Sequence, residues 1–237
     1  MKLKKINEAL QLALIENGLV EANAMQQETF STLKSGADAI IIGEKGSGKS
    51  VTIVLNVIHQ LKCEWEESPR ALIIVEDKAK VLAMEELFEK YGKYTNLRVF
   101  GVHDKGDMEY DKNYVSTGID VLIGTPNKLS DMFTTAGYNI NKLKMFILDD
   151  ADPILKLRHE TKIMRISNSI AKTQRIIFTE KLTERIEILA EKMLLEPFVF
   201  DFDEEYDEDD EDLEDVIEND DIDDFEEEEG EIDDEEE

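Results

Sequence analysis

The sequence predicts an α/β fold in three layers, in which a mostly parallel sheet lies between two layers of helices. Short apolar runs recur along the chain, and the longer segments between them carry the apolar periodicity of amphipathic helices. The runs are rich in Ile, Val and Phe and are polar on neither side, which is typical of strands covered on both faces. A glycine-rich loop directly after the first run supports the same fold. The six predicted strands are 39–42, 71–75, 97–102, 121–124, 145–148 and 175–178.

Two helices are predicted before the first strand, within residues 3–34. The second of them should end near Gly36, because glycine commonly terminates a helix. The strand–helix units fill the chain up to about position 200. We therefore expect one domain over residues 1–200, in which residues 1–36 hold the N-terminal helices.

The strongest motif follows the first predicted strand and fits the pattern Gly-x-x-x-x-Gly-Lys-[Ser/Thr] at every position. Its glycines let backbone N–H groups surround a phosphate, and the helix after it directs its positive end at the anion. The lysine reaches the β- and γ-phosphates, and the last hydroxyl is a ligand for Mg²⁺. These are the predicted nucleotide-binding residues: Gly43, Glu44, Lys45, Gly46, Ser47, Gly48, Lys49 and Ser50.

A second motif lies at the end of the strand 145–148, where two acids, Asp149 and Asp150, follow four apolar residues. A phosphate loop needs a carboxylate from a neighbouring strand on its metal side. Asp149 is therefore predicted to hold Mg²⁺ together with Ser50, and Asp150 to polarise the attacking water. Lys49 and Asp150 are the predicted catalytic residues.

The charge of the chain is concentrated at its C-terminal end. The 237 residues include 27 basic and 56 acidic ones, for a net charge of −29. Residues 201–237 hold 27 acids and no Lys or Arg, so residues 1–200 keep 56 − 27 = 29 acids against 27 bases. We expect 201–237 to be a disordered acidic tail. It could be a solubilising extension, a binding segment for a basic protein, or a phosphate mimic that folds back over the domain.

Several classes of protein are disfavoured. The single cysteine, Cys63, allows no intramolecular disulfide, and no apolar run approaches the about 20 residues that a membrane span requires. The basic N-terminus is not followed by a secretory apolar core, so we expect a cytoplasmic protein. His59, His103 and His159 lack the spacing of metal ligands.

Around these motifs, residues 5–200 resemble the first RecA-like domain of the DEAD-box RNA helicases. Gln26 stands where that family has its adenine-reading glutamine. The four residues from Asp149 to Asp152 stand at the Asp-Glu-Ala-Asp motif, and those from Thr125 to Lys128 at the Thr-Pro-Gly-Arg motif. The resemblance implies a RecA-like P-loop NTPase fold that binds ATP and Mg²⁺ and contacts RNA. The residues it assigns to nucleic acid are Lys78, Lys80, Thr125, Pro126 and Lys128.

The chain also departs from this family. Asp150 replaces the glutamate of the motif, and acids at positions 76 and 77 stand where the family contacts RNA. Thr179-Glu180-Lys181 replaces Ser-Ala-Thr, and an aromatic residue upstream of Gln26 is missing. After Phe200 we expect only the acidic tail, and hence no second RecA-like domain.

The sequence therefore predicts an ATP-binding, helicase-like protein with weak or partner-dependent hydrolysis and no autonomous unwinding. The alternative is a non-catalytic ATP-binding scaffold whose tail binds a basic partner or masks the RNA-facing surface. A basic cluster of Lys142, Lys144, Lys156 and Arg158 is either a solvated rim or an RNA site.

Overall fold

The computed structural model describes residues 6–19 and 21–203. Its centre is one sheet of seven parallel strands in the order β3-β4-β2-β5-β6-β1-β7. The strands are β1 Ala39–Ile42, β2 Ala71–Ile74, β3 Val99–Val102, β4 Val121–Gly124, β5 Met145–Leu148, β6 Gln174–Thr179 and β7 Phe198–Asp201. The six predicted strands are confirmed to within two residues at their ends.

Nine helices lie in the described part of the chain. They are α1 Glu8–Glu16, α2 Ala24–Ser35, α3 Lys49–Leu61, α4 Lys78–Gly92, α5 Met108–Ser116, α6 Pro126–Thr134, α7 Ala151–Lys156, α8 Glu160–Ser169 and α9 Glu184–Met193. None of these described helices is long and apolar enough to cross a membrane.

The strands alternate their side chains between two buried cores, which confirms the three-layer prediction. In β1, Ile41 packs into the core that α1 to α4 cover. Ile40 and Ile42 point to the opposite core, which α5 to α9 cover. Successive side chains of a strand point to opposite faces, so a strand that is apolar at every position requires helices on both sides.

The two N-terminal helices are present as predicted, although they begin at Glu8 rather than at residue 3. Helix α2 ends at Gly36, whose φ of 84° is the left-handed conformation that glycine adopts without a steric cost.

The strand β7 was not predicted. It pairs with β1, and after it the backbone N–H of Phe202 donates to the carbonyl of Ile42 at 3.1 Å. The described fold thus continues to Asp203, three residues beyond the predicted end of the domain. From residue 204 onward, the predicted disordered tail lies outside the described residues.

The sheet order fixes where a site can form. Because all strands are parallel, the loops that follow β1, β5, β6 and β2 leave the same edge of the sheet. Only β6 separates β1 from β5, so the glycine-rich loop after β1 lies close to the acids after β5.

Candidate nucleotide-binding site

The loop from Gly43 to Gly48 connects β1 to α3 and has the backbone geometry of a phosphate cradle. Gly46 and Gly48 adopt φ values of 92° and 99°, in the left-handed region. A Cβ on Gly48 would lie 2.7 Å from Nδ2 of Asn23, and one on Gly43 would lie 2.6 Å from Cε of Met25. The left-handed φ of Gly48 therefore favours glycine there, whereas at Gly43 the flexible end of Met25 would have to move to admit a Cβ.

The side chain of Lys49, the first residue of α3, lies inside this loop. Its ammonium donates to the carbonyls of Gly43 at 2.5 Å and Glu44 at 2.9 Å. It also lies 3.4 Å from Oδ1 of Asp150. A phosphate bound in the loop would compete with these oxygens for the same three donors. The lysine is thus placed where the motif predicts it.

Ser50 and Asp149 are brought together across 99 positions of sequence. The Ser50 hydroxyl donates to Oδ2 of Asp149 at 3.0 Å, while Oδ1 of Asp149 is buried without a hydrogen-bond partner among the described residues. Both groups offer the hard oxygen ligands that Mg²⁺ prefers, and this ion usually keeps several waters besides one or two protein ligands. The pair therefore fits a magnesium ion.

Burial, followed by the negative charge of Asp150, raises the pKa of Asp149 to about 6, against smaller opposite effects of Lys80, Ser50 and Lys49. The side chain is only 2% exposed. The ionised form of a carboxylate that is buried in this way is stabilised when a cation binds beside it. This agrees with a role for Asp149 as a metal ligand.

Asp150 lies between two ammonium groups. Lys49 faces its Oδ1 at 3.4 Å, and Lys80 donates to its Oδ2 at 3.0 Å. Asp150 also adopts a φ of 55°, which is unusual for a residue with a Cβ. Strained backbone of this kind tends to occur at functional sites.

Gln26 lies beside the loop, in a capping box at the start of α2. Its Oε1 accepts from the N–H of Asn23 at 3.2 Å, and its own N–H donates to Oδ1 of Asn23 at 2.9 Å. Nδ2 of Asn23 donates in turn to the carbonyl of Ser47 at 2.8 Å. Gln26 is buried here, so its adenine-reading role stays a prediction. The Asn-x-x-Gln pattern could have revealed Asn23, which ties α2 to the loop.

The residues predicted to contact RNA are not brought into one exposed surface. Lys78 is exposed, whereas Thr125 and Pro126 are buried at the start of α6. Lys128 is 4% exposed, and its ammonium lies 2.7 Å from Oδ2 of Asp111. A buried carboxylate thus already neutralises the charge of Lys128, and its role as a direct phosphate contact stays a prediction.

Lys80, which was predicted to contact RNA, lies against Asp150 at the nucleotide site. Asp77, one of the two acids expected to oppose RNA, is the N-cap of α4, where its Oδ1 accepts from the N–H of Lys80 at 2.9 Å.

The four cations of the predicted basic cluster do not form one patch. Lys142 and Lys144 precede β5, whereas Lys156 and Arg158 lie beyond its other end, at α7. Lys142 pairs with Glu66, and Lys156 with Asp152 one helical turn away. This separation favours the solvated-rim interpretation.

The end of the described chain reaches the glycine-rich loop. Oδ1 of Asp203 accepts from the backbone N–H of Glu44 at 2.7 Å, and the N–H of Asp203 donates to Oδ1 of Asp201 at 3.0 Å. No local sequence signal pointed to this contact, because 159 positions separate its partners.

Two buried oxygen atoms in this region, Oγ of Ser47 and Oδ1 of Asp149, have no hydrogen-bond partner within residues 6–19 and 21–203, and Oδ1 of Asp150 has only its ion-pair contact with Lys49 at 3.4 Å. Buried polar atoms are normally paired, so a cluster of unpaired ones at a phosphate loop indicates a ligand site. The parallel sheet, the loop and the two acids define a P-loop nucleotide-binding domain of the RecA-like type.

Comparison with known proteins narrows this class. Residues 23–183 match the DEAD/DEAH box helicase family. The chain is 26% identical over 160 residues to the ATP-dependent RNA helicase eIF4A of Debaryomyces hansenii, covering 68% of this chain and 40% of that protein. It is 28% identical over 204 residues to the probable ATP-dependent RNA helicase CG8611 of Drosophila melanogaster, covering 78% of this chain and 21% of that protein. It is 26% identical over 194 residues to the DEAD-box ATP-dependent RNA helicase 30 of Oryza sativa subsp. japonica, covering 78% of this chain and 29% of that protein.

The chain belongs to the DEAD/DEAH box helicase family. The matched region corresponds to the N-terminal RecA-like domain, and membership implies the use of ATP and Mg²⁺. The chain spans 40% or less of the length of these three relatives.

Proposed function

We propose that this domain binds ATP with Mg²⁺ at the Gly43–Ser50 loop and hydrolyses it slowly, or only when a partner completes the site. The observation that supports this most is the convergence of Lys49, Ser50 and Asp149 at one edge of the sheet. In this proposal Lys49 binds the β- and γ-phosphates, and Ser50 and Asp149 hold the ion. When bound, Mg²⁺ would neutralise charge on the phosphate oxygens.

Slow hydrolysis follows from the position of Asp150. Its side chain is one methylene shorter than the glutamate of the family motif, and both of its oxygens face ammonium groups. A water that approaches Asp150 would have to compete with these ammonium groups for the carboxylate oxygens. Displacement of a reacting group by about 1 Å can cost on the order of 10²-fold in rate.

A relation to RNA is part of the proposal, because the named relatives are RNA helicases. Lys78 remains an exposed candidate contact. Thr125 and Pro126 would need a local rearrangement to contact RNA, since both are buried. We therefore expect RNA binding to be weak and salt-dependent.

Nucleotide binding is tested by titrating the protein with a fluorescent ATP analogue in the presence of Mg²⁺. We expect saturable binding to the wild type, and a loss of at least roughly tenfold in affinity for Lys49→Ala, because the phosphates then lose their main cationic ligand. Lys90→Ala, at an exposed position in the last turn of α4, away from the loop, is the matched control. Absence of binding to the wild type would refute the proposal.

Hydrolysis is tested by phosphate release with and without RNA. We expect Asp150→Glu, which restores the longer acid, to exceed the wild type by roughly tenfold or more. Asp150→Ala provides the background rate.

The alternative is a scaffold that binds ATP without turning it over. The burial of Lys128, Thr125 and Pro126 favours it, since these residues would otherwise couple RNA to the site. In this case the acidic segment after residue 203 would bind a basic partner. Phosphate release by Asp150→Glu that stays at the Asp150→Ala background, with and without RNA, would favour the scaffold over the enzyme.

A further inference from the structure

Lys80 occupies a position that local rules disfavour. It is the third residue of α4, whose N-cap is Asp77. The N-terminal turn of a helix carries partial positive charge, so a lysine in this turn costs free energy. Departures of this kind are expected where a residue serves a site rather than the fold.

The side chain of Lys80 reaches from α4 to the acids after β5. Its Nζ lies 3.0 Å from Oδ2 of Asp150, on the carboxylate oxygen that Lys49 does not face. The side chain of Lys80 is 37% exposed, compared with 5% for Lys49, so Lys80 approaches from the solvent side. Burial alone would lower the pKa of Lys80, but the hydrogen bond and charge of Asp150, with Asp149 and Glu76, raise it overall.

The charges explain what this contact can do. Two carboxylates, Asp149 and Asp150, face two ammonium groups, Lys49 and Lys80. A triphosphate draws Lys49 toward its own oxygens, and of its two ammonium partners Asp150 then retains Lys80. Without Lys80, a carboxylate with no ammonium partner would lie beside the terminal phosphate and repel it.

We propose that Lys80 is a positioning residue of the nucleotide site, which neutralises and orients Asp150 so that the site accepts a γ-phosphate. This inference rests on the proposed nucleotide binding and adds a preference for triphosphate over diphosphate. The preference depends on Asp150, because the lysine acts through that carboxylate.

The test compares the affinities of fluorescent ADP and of a non-hydrolysable fluorescent ATP analogue, both with Mg²⁺. Lys80→Met keeps the aliphatic stem and removes the charge. We expect it to lower the ratio of triphosphate to diphosphate affinity on the order of five- to tenfold, the size of a partly exposed ion pair. Lys80→Arg should restore most of the ratio, and Lys90→Met, at an exposed lysine in the last turn of the same helix, should leave it unchanged.

A double-mutant cycle distinguishes action through Asp150 from a direct phosphate contact. In an Asp150→Asn background no carboxylate remains to be neutralised, so Lys80→Met should change the ratio by less than about twofold. An equally large fall of the affinity ratio in the Asp150→Asn background would overturn the inference in favour of a direct contact between Lys80 and the phosphate. An unchanged ratio for Lys80→Met in the wild-type background would overturn it as well, and weaker RNA binding by the same variant would assign Lys80 to nucleic acid instead. Whichever of these results is obtained, nucleotide binding by the wild type leaves the proposed function standing. A wild type that binds neither nucleotide would refute both the proposed function and the inference about Lys80.

Discussion

The buried charge of Asp149 should destabilise the domain when no cation binds beside it, and Asp149→Asn should therefore make the protein more stable. The pKa of this carboxyl rises from 3.8 to about 6 on folding. The folded state thus holds the proton more tightly than the unfolded chain does. Stability is lost as the pH rises from 3.8 to about 6, and the loss stays constant above that range.

The magnitude follows from the size of the shift. A rise of about 2.2 pKa units at roughly 1.36 kcal/mol each gives a penalty of about 3 kcal/mol at pH 8. At pH 5 the same relation gives about half of it. The amide that Asp149→Asn introduces would carry no charge at either pH and could still accept the hydrogen bond from Ser50. For a domain of this size, the gain at pH 8 corresponds to roughly 6–12 °C in Tm.

The assay is urea unfolding at pH 5 and pH 8 in the presence of a chelator. We expect Asp149→Asn to exceed the wild type in free energy of unfolding at both values, by about twice as much at pH 8. Asp152→Asn is the matched control, since this acid of the same motif pairs with exposed Lys156 and should change stability by less than about 1 kcal/mol. A wild type as stable as Asp149→Asn at pH 8, or an equal gap at both pH values, would refute the reasoning. Added Mg²⁺ should stabilise the wild type and not the variant.

Two further predictions concern other charges. Arg70→Met should cost about 3–5 kcal/mol in urea unfolding, because it leaves buried Asp120 with the partly exposed Arg98 as its remaining cationic partner, besides the backbone N–H groups of Trp65 and Arg98. A cost no larger than that of Arg98→Met would contradict this. Asp203→Ala should tighten binding of the ATP analogue a few-fold, since it removes a carboxylate from the N–H of Glu44, and Asp203→Asn should act in the same direction. Weaker binding by both variants would show that this carboxylate supports the loop instead.

The fold could be predicted because its signals are local. Each of the six predicted strands is a short apolar run between polar segments, and Gly36 marks the end of α2 within the sequence itself. The strand β7 was missed because Phe198–Asp201 merges with the acids that follow it. This strand forms by pairing with β1, about 160 positions earlier, and the local composition does not reveal that pairing.

The nucleotide site was likewise predictable where its signals are local. The spacing of the glycines, Lys49 and Ser50 lies within one motif, so the sequence alone places them. The partners of Lys80 and Lys128 are set by the tertiary fold: one ammonium meets Asp150 and the other meets Asp111. Both lysines were therefore predicted to face RNA, because a sequence shows a charge without its counterion.

The pairing of β7 with β1 has a practical consequence for shortened versions of the protein. Phe198 donates its N–H to the carbonyl of Asp38, and Phe202 donates to that of Ile42, so the last strand shields the full length of β1. A truncation at residue 196 would turn the Ile-Ile-Ile backbone of β1 into a bare sheet edge, the kind of edge that promotes aggregation. A soluble fragment should instead be cut after Asp203, which retains the shielding strand and removes the acidic residues beyond it.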